Sequence, residues 1–448
     1  MEERMGRWTA LAVTICLAAV PAFGAEALSL SAAMRMAREK SREVAAARAR
    51  EAAGAARLDQ ARGFRLPSLR VEEDYIRTDS PAEVFALKLD QQRFSFAAFT
   101  ATDPNRPSAL DTAITRVELA LPLYTGGELS GRVAQARAAA AAGSSAAAWA
   151  GDQAAWEAAR AYLALAQAQE FAALLEHSRK TVAAHVELAK NYVEQGMLVR
   201  SELLRAEVEL ARVEDMLEAA QGGARVAAAN LAFRLGADEA TEWRAEALPS
   251  PAAPGDELAG FIASAARRGD LEAARAMLRA GELERGVRRA AFLPRVGLVA
   301  REDLVDDHLF GGHGESTAIM AQASLNLFAG GSDRAALRAA EFEATAAAED
   351  VARFADGVQL EVRQAWEEAA SARARHVTAA RAVGAAREVE RIVAERFANG
   401  VVKMLDLLDA TTAAREAETR ELAARADADT ASIRLAVVAG RPPESALP

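Results

Sequence analysis

The sequence predicts a mainly α-helical, internally duplicated chain with four short strands of the kind that build a membrane β-barrel. Three observations carry this. Three glycine landmarks recur with one offset, two very long tracts lack proline, and segments beside those tracts alternate apolar and polar residues.

The duplication comes first, because a repeat changes the domain count that length suggests. Leu121-Pro122-Leu123-Tyr124-Thr125-Gly126-Gly127 resembles Leu325-Asn326-Leu327-Phe328-Ala329-Gly330-Gly331. Gly126 and Gly330, Gly196 and Gly400, and Gly236 and Gly440 are each 204 residues apart. Upstream, Leu66 and Pro67 match Leu293 and Pro294 with an offset of 227. The first copy thus carries about 23 extra residues, which are placed in a loop, where insertions are tolerated.

Each copy reads helix, strand, strand, very long helix, turn, helix. The first spans residues 25–236, with strands at 66–77 and 113–123, a long helix at 128–195 and a helix at 198–236. The second spans 258–440, with strands at 293–303 and 316–328, a long helix at 331–399 and a helix at 401–439. Residues 237–257 hold Pro249, Pro251 and Pro254 and read as a linker in an equatorial region. Residues 441–448 form a tail.

The long tracts are rich in Ala, Glu, Arg and Leu, which favour helix. At 1.5 Å per residue each is about 100 Å long, more than a compact domain accommodates. Ala382, Ala386, Val389, Val393 and Phe397 recur at coiled-coil spacing. Alanine at so many seam positions suits a thin wall, wet on both faces, rather than a thick globular core.

Among the strands, Ile319, Ala321, Ala323, Leu325 and Leu327 alternate with Met320, Gln322, Ser324 and Asn326. Val117, Leu119, Leu121 and Leu123 alternate with Arg116, Glu118 and Ala120, and Pro122 breaks the polar set. A period of two with one apolar face suits a transmembrane barrel. Phe64, Tyr124, Phe292 and Phe328 fall where helix meets strand, the place of an interfacial aromatic belt in contact with membrane lipid. Four strands cannot close a barrel, and an open edge is forbidden in lipid, so copies must pool them. The plain alternative is a soluble protein with two surface hairpins.

The N-terminus has Arg4 and Arg7, an apolar run from Trp8 to Val20, and small residues at Ala22 and Gly24. Residues 1–24 therefore read as a secretory signal. The run is short for a membrane anchor, which needs about 20 apolar residues. The only cysteine, Cys16, lies inside it behind bulky Ile15, a poor setting for lipid attachment. A mature chain without cysteine has no disulfide and no thiolate chemistry. The net charge of −10 argues against nucleic-acid binding.

With these features together, the chain resembles the TolC-type outer-membrane efflux proteins over nearly its whole mature length. The most specific motif is Gly400-Val401-Val402-Lys403-Met404-Leu405-Asp406-Leu407-Leu408-Asp409-Ala410. The strand-to-helix turns at Gly126, Gly127, Gly330 and Gly331 and the segment Val84-Phe85-Ala86-Leu87-Lys88-Leu89-Asp90-Gln91-Gln92-Arg93-Phe94 also fit. The resemblance implies a homotrimer with a twelve-stranded barrel in the outer membrane of a Gram-negative bacterium, continued by a periplasmic α-barrel. It implies docking to a periplasmic adaptor (a membrane fusion protein) and an inner-membrane RND, ABC or MFS transporter, for efflux or type I secretion. It places Gly196 and Gly400 at the periplasmic hairpin tips, where the adaptor docks. It assigns Asp406 and Asp409 to the periplasmic aperture, and Glu202 and Arg205 occupy the matching positions of the first copy. Phe397 stands three residues before Gly400, whereas Val193 stands three before Gly196, with Tyr192 adjacent.

Asp406 and Asp409 also sit where carboxylates simply favour a helix start. His308 and His313 share a loop with Asp306 and Asp307, and a solvated acidic loop is the plainer reading than a metal site. His177, His185 and His376 read as wet-face helical residues. No HExxH, GxSxG or phosphate-loop pattern occurs, so neither enzyme chemistry nor a cofactor is expected. A periplasmic coiled-coil adaptor is the alternative from another class, but it would carry soluble β modules, and none is found.

Overall fold

The computed structural model describes residues 26–237, 243–246, 248–249 and 257–446. The expected signal, residues 1–24, and much of the expected linker lie outside the described residues. The chain begins with β1 (Glu26–Leu28), α1 (Leu30–Lys40) and α2 (Arg42–Gly63). A hairpin follows, β2 (Ser68–Thr78) and β3 (Leu110–Thr125), with α3 (Pro81–Asp90) and α4 (Phe96–Ala101) between its strands. Next come α5 (Glu128–Glu194), α6 (Arg200–Leu235) and β4 (Trp243–Ala245). The second repeat has α7 (Leu258–Ala265), α8 (Gly269–Arg289), β5 (Arg295–Asp306), β6 (Gly314–Ser324), α9 (Ser332–Ala398) and α10 (Met404–Val438).

The long helices α5 and α9 are each 67 residues, and their ends differ by the same 204 positions as the glycine landmarks. No described helix is long and apolar enough to cross a membrane. The largest core joins α1, α5, α6 and α10 around Met34, Tyr162, Leu165, Leu231 and Ile433, with many alanines between them.

The four hairpin strands form one antiparallel sheet in the order β2-β3-β5-β6. Its ends correct the sequence reading. The fourth strand, expected to reach residue 328, stops at Ser324, which pairs with Arg295 at the start of β5. Beyond that point β5 offers no partner, so Leu325, Leu327 and Phe328 lie outside the strand. By contrast β3 runs on to Thr125, past a register shift between Pro122 and Tyr124, because β5 lies beside it there. The helices expected from 198 and 401 begin at Arg200 and Met404, since the residues just after each tip glycine stay extended or bent.

Two connections hold secondary structure that their sequences do not announce. The insertion in the first repeat folds into α3 and α4. The expected linker contains β4, which pairs in parallel with β1. Glu246 N–H donates to Tyr162 Oη (2.8 Å) and Leu248 N–H to Glu170 Oε1 (2.9 Å), binding the segment to α5. The three prolines exclude a helix, but β4 lies upstream of them.

Each repeat closes on a left-handed glycine after its last helix. Gly236 has φ +64°, and a Cβ there would lie 2.7 Å from Lys40 O. Gly440 has φ +69° and packs on Arg268 at the matching junction. Gly236→Ala should therefore cost more than the ~1–2 kcal/mol of the left-handed conformation alone. Gly223→Ala, in open space on α6, should stabilise by ~1 kcal/mol. Thermal unfolding of both variants checks the contrast.

Candidate functional site

The sheet has two chemically distinct faces. Leu69, Val71, Val117, Leu119, Leu121, Leu298, Ala300, Ile319 and Ala321 share one face, as the strand register requires. On it Leu69, Val71 and Ile319 are 69%, 61% and 74% exposed, an apolar surface that water does not favour. Near its outer end that face turns polar, and Thr115 and Thr317 donate to Glu73 and Glu302. The opposite face carries charge: Arg116 and Arg301 pair with Asp303 at 3.0 and 3.1 Å. The outer edges of β2 and β6 have no strand partner among the described residues.

Where strands meet helices, Phe64, Tyr124, Phe292 and Phe328 are all exposed. Gly127 and Gly331 are the left-handed N-caps of α5 and α9, each preceded by a left-handed glycine, Gly126 or Gly330. The two turns differ in surroundings. A Cβ on Gly126 would meet Ala290 O at 2.7 Å, whereas Gly330 faces open space in the single chain.

At the other end of the molecule, Gly196 and Gly400 reverse the chain with φ +74° and +72°. The hairpin ends pack together through Ala189, Ala206, Phe397, Met404, Leu407 and Leu408. Tyr192 performs the aromatic role that Val193 cannot. Its ring centroid lies 5.9 Å from that of Phe397, and its hydroxyl donates to Ala398 O at 3.1 Å. Met197, Val199 and Val401 stand exposed at the tips.

Asp406 and Asp409 are exposed at the start of α10. Asp406 accepts the Lys403 N–H at 3.0 Å, so one of its oxygens caps the helix. Glu202 is half-buried at the start of α6, and its Oε2 is buried without a hydrogen-bond partner among the described residues. The structure therefore gives Glu202 a more enclosed setting than the two aspartates.

Above the tips, α5 and α10 meet along a seam that the sequence reading passed over. Met404, Leu408, Thr411, Arg415, Leu422, Ala426, Asp429 and Ile433 are buried at alternating three- and four-residue steps or their sum. Two seam positions are thus charged. Arg415 pairs with Glu209 of α6 at 2.8 Å. Arg425 pairs with Glu170 of α5, and Asp429 is 5% exposed, its Oδ2 without a hydrogen-bond partner among the described residues. Burial pushes the Asp429 carboxyl up to about 7, despite Arg425, and Glu170 adds to the rise. His185 and His376, expected on a wet face, belong to this region. His185 approaches Thr411 (3.5 Å), and burial lowers its pKa; His376 lies 3.0 Å from Glu421. Charge at heptad seam positions was the available signal.

The outer loops are bound to each other. Buried Gln91 donates to Asp111 O and Thr112 Oγ1, both at 2.9 Å. Asp306, Asp307 and His308 cluster there, and Arg93 supplies the counter-charge to both carboxylates.

This geometry has known counterparts. The model of the family described as outer membrane efflux protein matches residues 33–237 and 263–441. The fold is similar to that of the outer membrane protein VceC of Vibrio cholerae (TM-score 0.75, 21% identity, 92% of this chain and 96% of that one). It is similar to a membrane protein of Pseudomonas aeruginosa (0.76, 20%, 92% of each chain). It also resembles the open state of the MtrE outer membrane channel of Neisseria gonorrhoeae (0.73, 18%, 92% and 89%). No protein of curated function matches the sequence.

Asp429 gives the seam a pH dependence. Its folded pKa is raised, so between about pH 4 and about pH 7 the native chain holds a proton that the unfolded chain releases. This group's contribution to stability therefore falls as pH rises through that window. Asp429→Asn should shrink the loss of thermal stability between about pH 5 and about pH 8. An unchanged profile would locate the titration elsewhere.

Proposed function

We propose a specific assembly on one premise: the chain belongs to the outer membrane efflux protein family and is an outer-membrane efflux channel subunit. Members are passive channels of the Gram-negative outer membrane that reach into the periplasm, form trimers and work in tripartite systems. In our reading three copies of this chain pool their strands into a twelve-stranded barrel, with α5, α6, α9 and α10 continuing it as a helical tube. The duct does no chemistry of its own. The tips at Gly196 and Gly400 dock a periplasmic adaptor, a membrane fusion protein, and an inner-membrane RND, ABC or MFS transporter supplies the energy, for efflux or type I secretion.

The observation that carries this reading is the apolar sheet with two unpaired edges. Lipid satisfies its exposed face, and only another strand satisfies its edges. The alternative, a periplasmic protein without a barrel, would leave both in water.

The duplication also supplies the register of the missing contact. Within the chain, Val117 faces Glu302 and Tyr124 faces Val296. Shifting β3 by 204 and β5 by 227 sets Ala321 opposite Tyr75 of the partner subunit, and Phe328 opposite Leu69 of the partner subunit. Paired in this way, β6 would run on through residues 325–328.

Cysteine cross-linking tests this register, because the chain's one cysteine lies in the expected signal. Ala321→Cys with Tyr75→Cys should give covalent trimers on gels run without reductant. Ala321→Cys with Asp74→Cys should not, since neighbouring residues face opposite sides of a strand. A monomer from the first pair would overturn the register.

At the mouth, three copies would bring Asp406, Asp409 and Glu202 into a ring that favours cations. Asp406→Asn with Asp409→Asn keeps a capping oxygen and removes two charges per subunit. Cation selectivity in a planar bilayer should fall. An unchanged reversal potential would confine these aspartates to helix capping.

A further inference from the structure

The two repeats handle one junction differently. In the second, Arg268 precedes α8 and is buried. It pairs with Asp270 (2.8 Å) and Glu361 (2.7 Å), donates to Val438 O (3.2 Å), and lies 5.1 Å from the centroid of the Trp149 ring. The offset of 227 puts Ser41 in the place of Arg268. The offset of 204 puts Glu157 in the place of Glu361 and Arg353 in the place of Trp149. Serine is too small to fill the space, and a cavity of about 200 Å³ is found there. Its lining includes Ser41, Arg42, Glu43, Glu157, Phe233 and Arg234.

The helices that would cover this cavity are the two ends of a row. In the chain α2 packs on α5, α5 on α8, and α8 on α9. The α5–α8 contact brings Gly269 against Trp149, where a Cβ on Gly269 would lie 3.0 Å from the Trp149 Cβ and 3.0 Å from Ser145 O. The same contact transposed to the other repeat sets Arg42 on α2 against Glu349 and Arg353 on α9. Repetition of one contact head to tail is how a heterologous interface closes into a ring.

The charges agree. Arg42 and Glu349 are both exposed, and neither has an ion-pair partner among the described residues. Among the described residues the ion-pair partner of Arg353 is Asp350, three residues away on its own helix (3.2 Å). The socket side carries Arg42, Arg160 and Arg234 with Glu43 and Glu157, whereas the covering segment carries Glu349 and Asp350 with Arg353. A net positive surface thus meets a net negative one.

We propose that the cavity is a socket for a second copy of this chain: Arg353 of the partner subunit seats against Glu157, and Arg42 pairs with Glu349 of the partner subunit. The contact replaces, between subunits, what Arg268 and Trp149 provide within one. It rests on the ring assembly proposed above and adds an equatorial fastening, well away from the strand edges.

Cross-linking in the full-length, detergent-extracted protein tests it. Arg42→Cys with Arg353→Cys replaces exposed side chains at a pair whose internal counterpart lies 3.0 Å apart at Cβ, so a slight parting of the helices reaches the ~3.8 Å of a disulfide. Covalent trimers are expected. Independently, Glu349→Arg should lower the temperature at which SDS-resistant trimers dissociate, and adding Arg42→Glu should restore it. If the strand-edge pair Ala321→Cys with Tyr75→Cys cross-links while this pair stays monomeric and the charge swap gives no rescue, the socket is wrong and the barrel stands. If neither pair cross-links, the assembly beneath both falls.

Discussion

A peptide group cannot be left unpaired in hydrocarbon, where each one costs several kcal/mol. The two free edges of β2 and β6 place this chain under that constraint, and much else follows from it. It makes a single subunit incomplete, although each subunit folds around a core of its own. It explains why β3 reaches Thr125 while its counterpart β6 halts at Ser324. The first has a neighbour along its full length within the chain, and the second waits for one.

The helical part shows the same incompleteness in another form. Ala382 and Val389, on the expected coiled-coil seam of α9, are exposed, while the matching Ser178 is buried and His185 half-buried on α5. The difference is not one of composition. Helix α10 lies along α5 as well as along its own hairpin partner α9, whereas among the described residues α6 packs on α5 and does not lie along α9. Alanine-rich seams make such walls thin, because small side chains let backbones approach closely.

The architecture was legible from spacing alone. One offset located both Gly-Gly turns, both tips and both closing glycines, and a period of two exposed the apolar strand face. Strand ends were not legible, because they depend on which partner is present and not on the residues themselves. Strand β4 was not legible either, because the pairing of Trp243 with β1 joins segments more than 200 residues apart. At the candidate site the tip glycines and Asp406 were findable as a motif. The Tyr192–Phe397 contact was not, because it breaks the register of the repeat by one residue. Arg415 and Asp429 were visible as charges at heptad positions, yet a wet-face reading of the helices hid them.

Those buried charges have a consequence for length. A coiled seam of alanines alone is nearly degenerate, and sliding it by one heptad moves a helix by about 10 Å at little steric cost. Helix α10 is not free to slide in this way, because a slip would part Arg425 from Glu170 of α5 and Arg415 from Glu209 of α6. At the matching positions of the second repeat pair stand Ala211, Ala413, Gln221 and Ala374, which hold no such mark. The charged seam thus acts as a vernier. Over helices of some 100 Å it brings Gly196 and Gly400 to the same height, so that the far rim is flush.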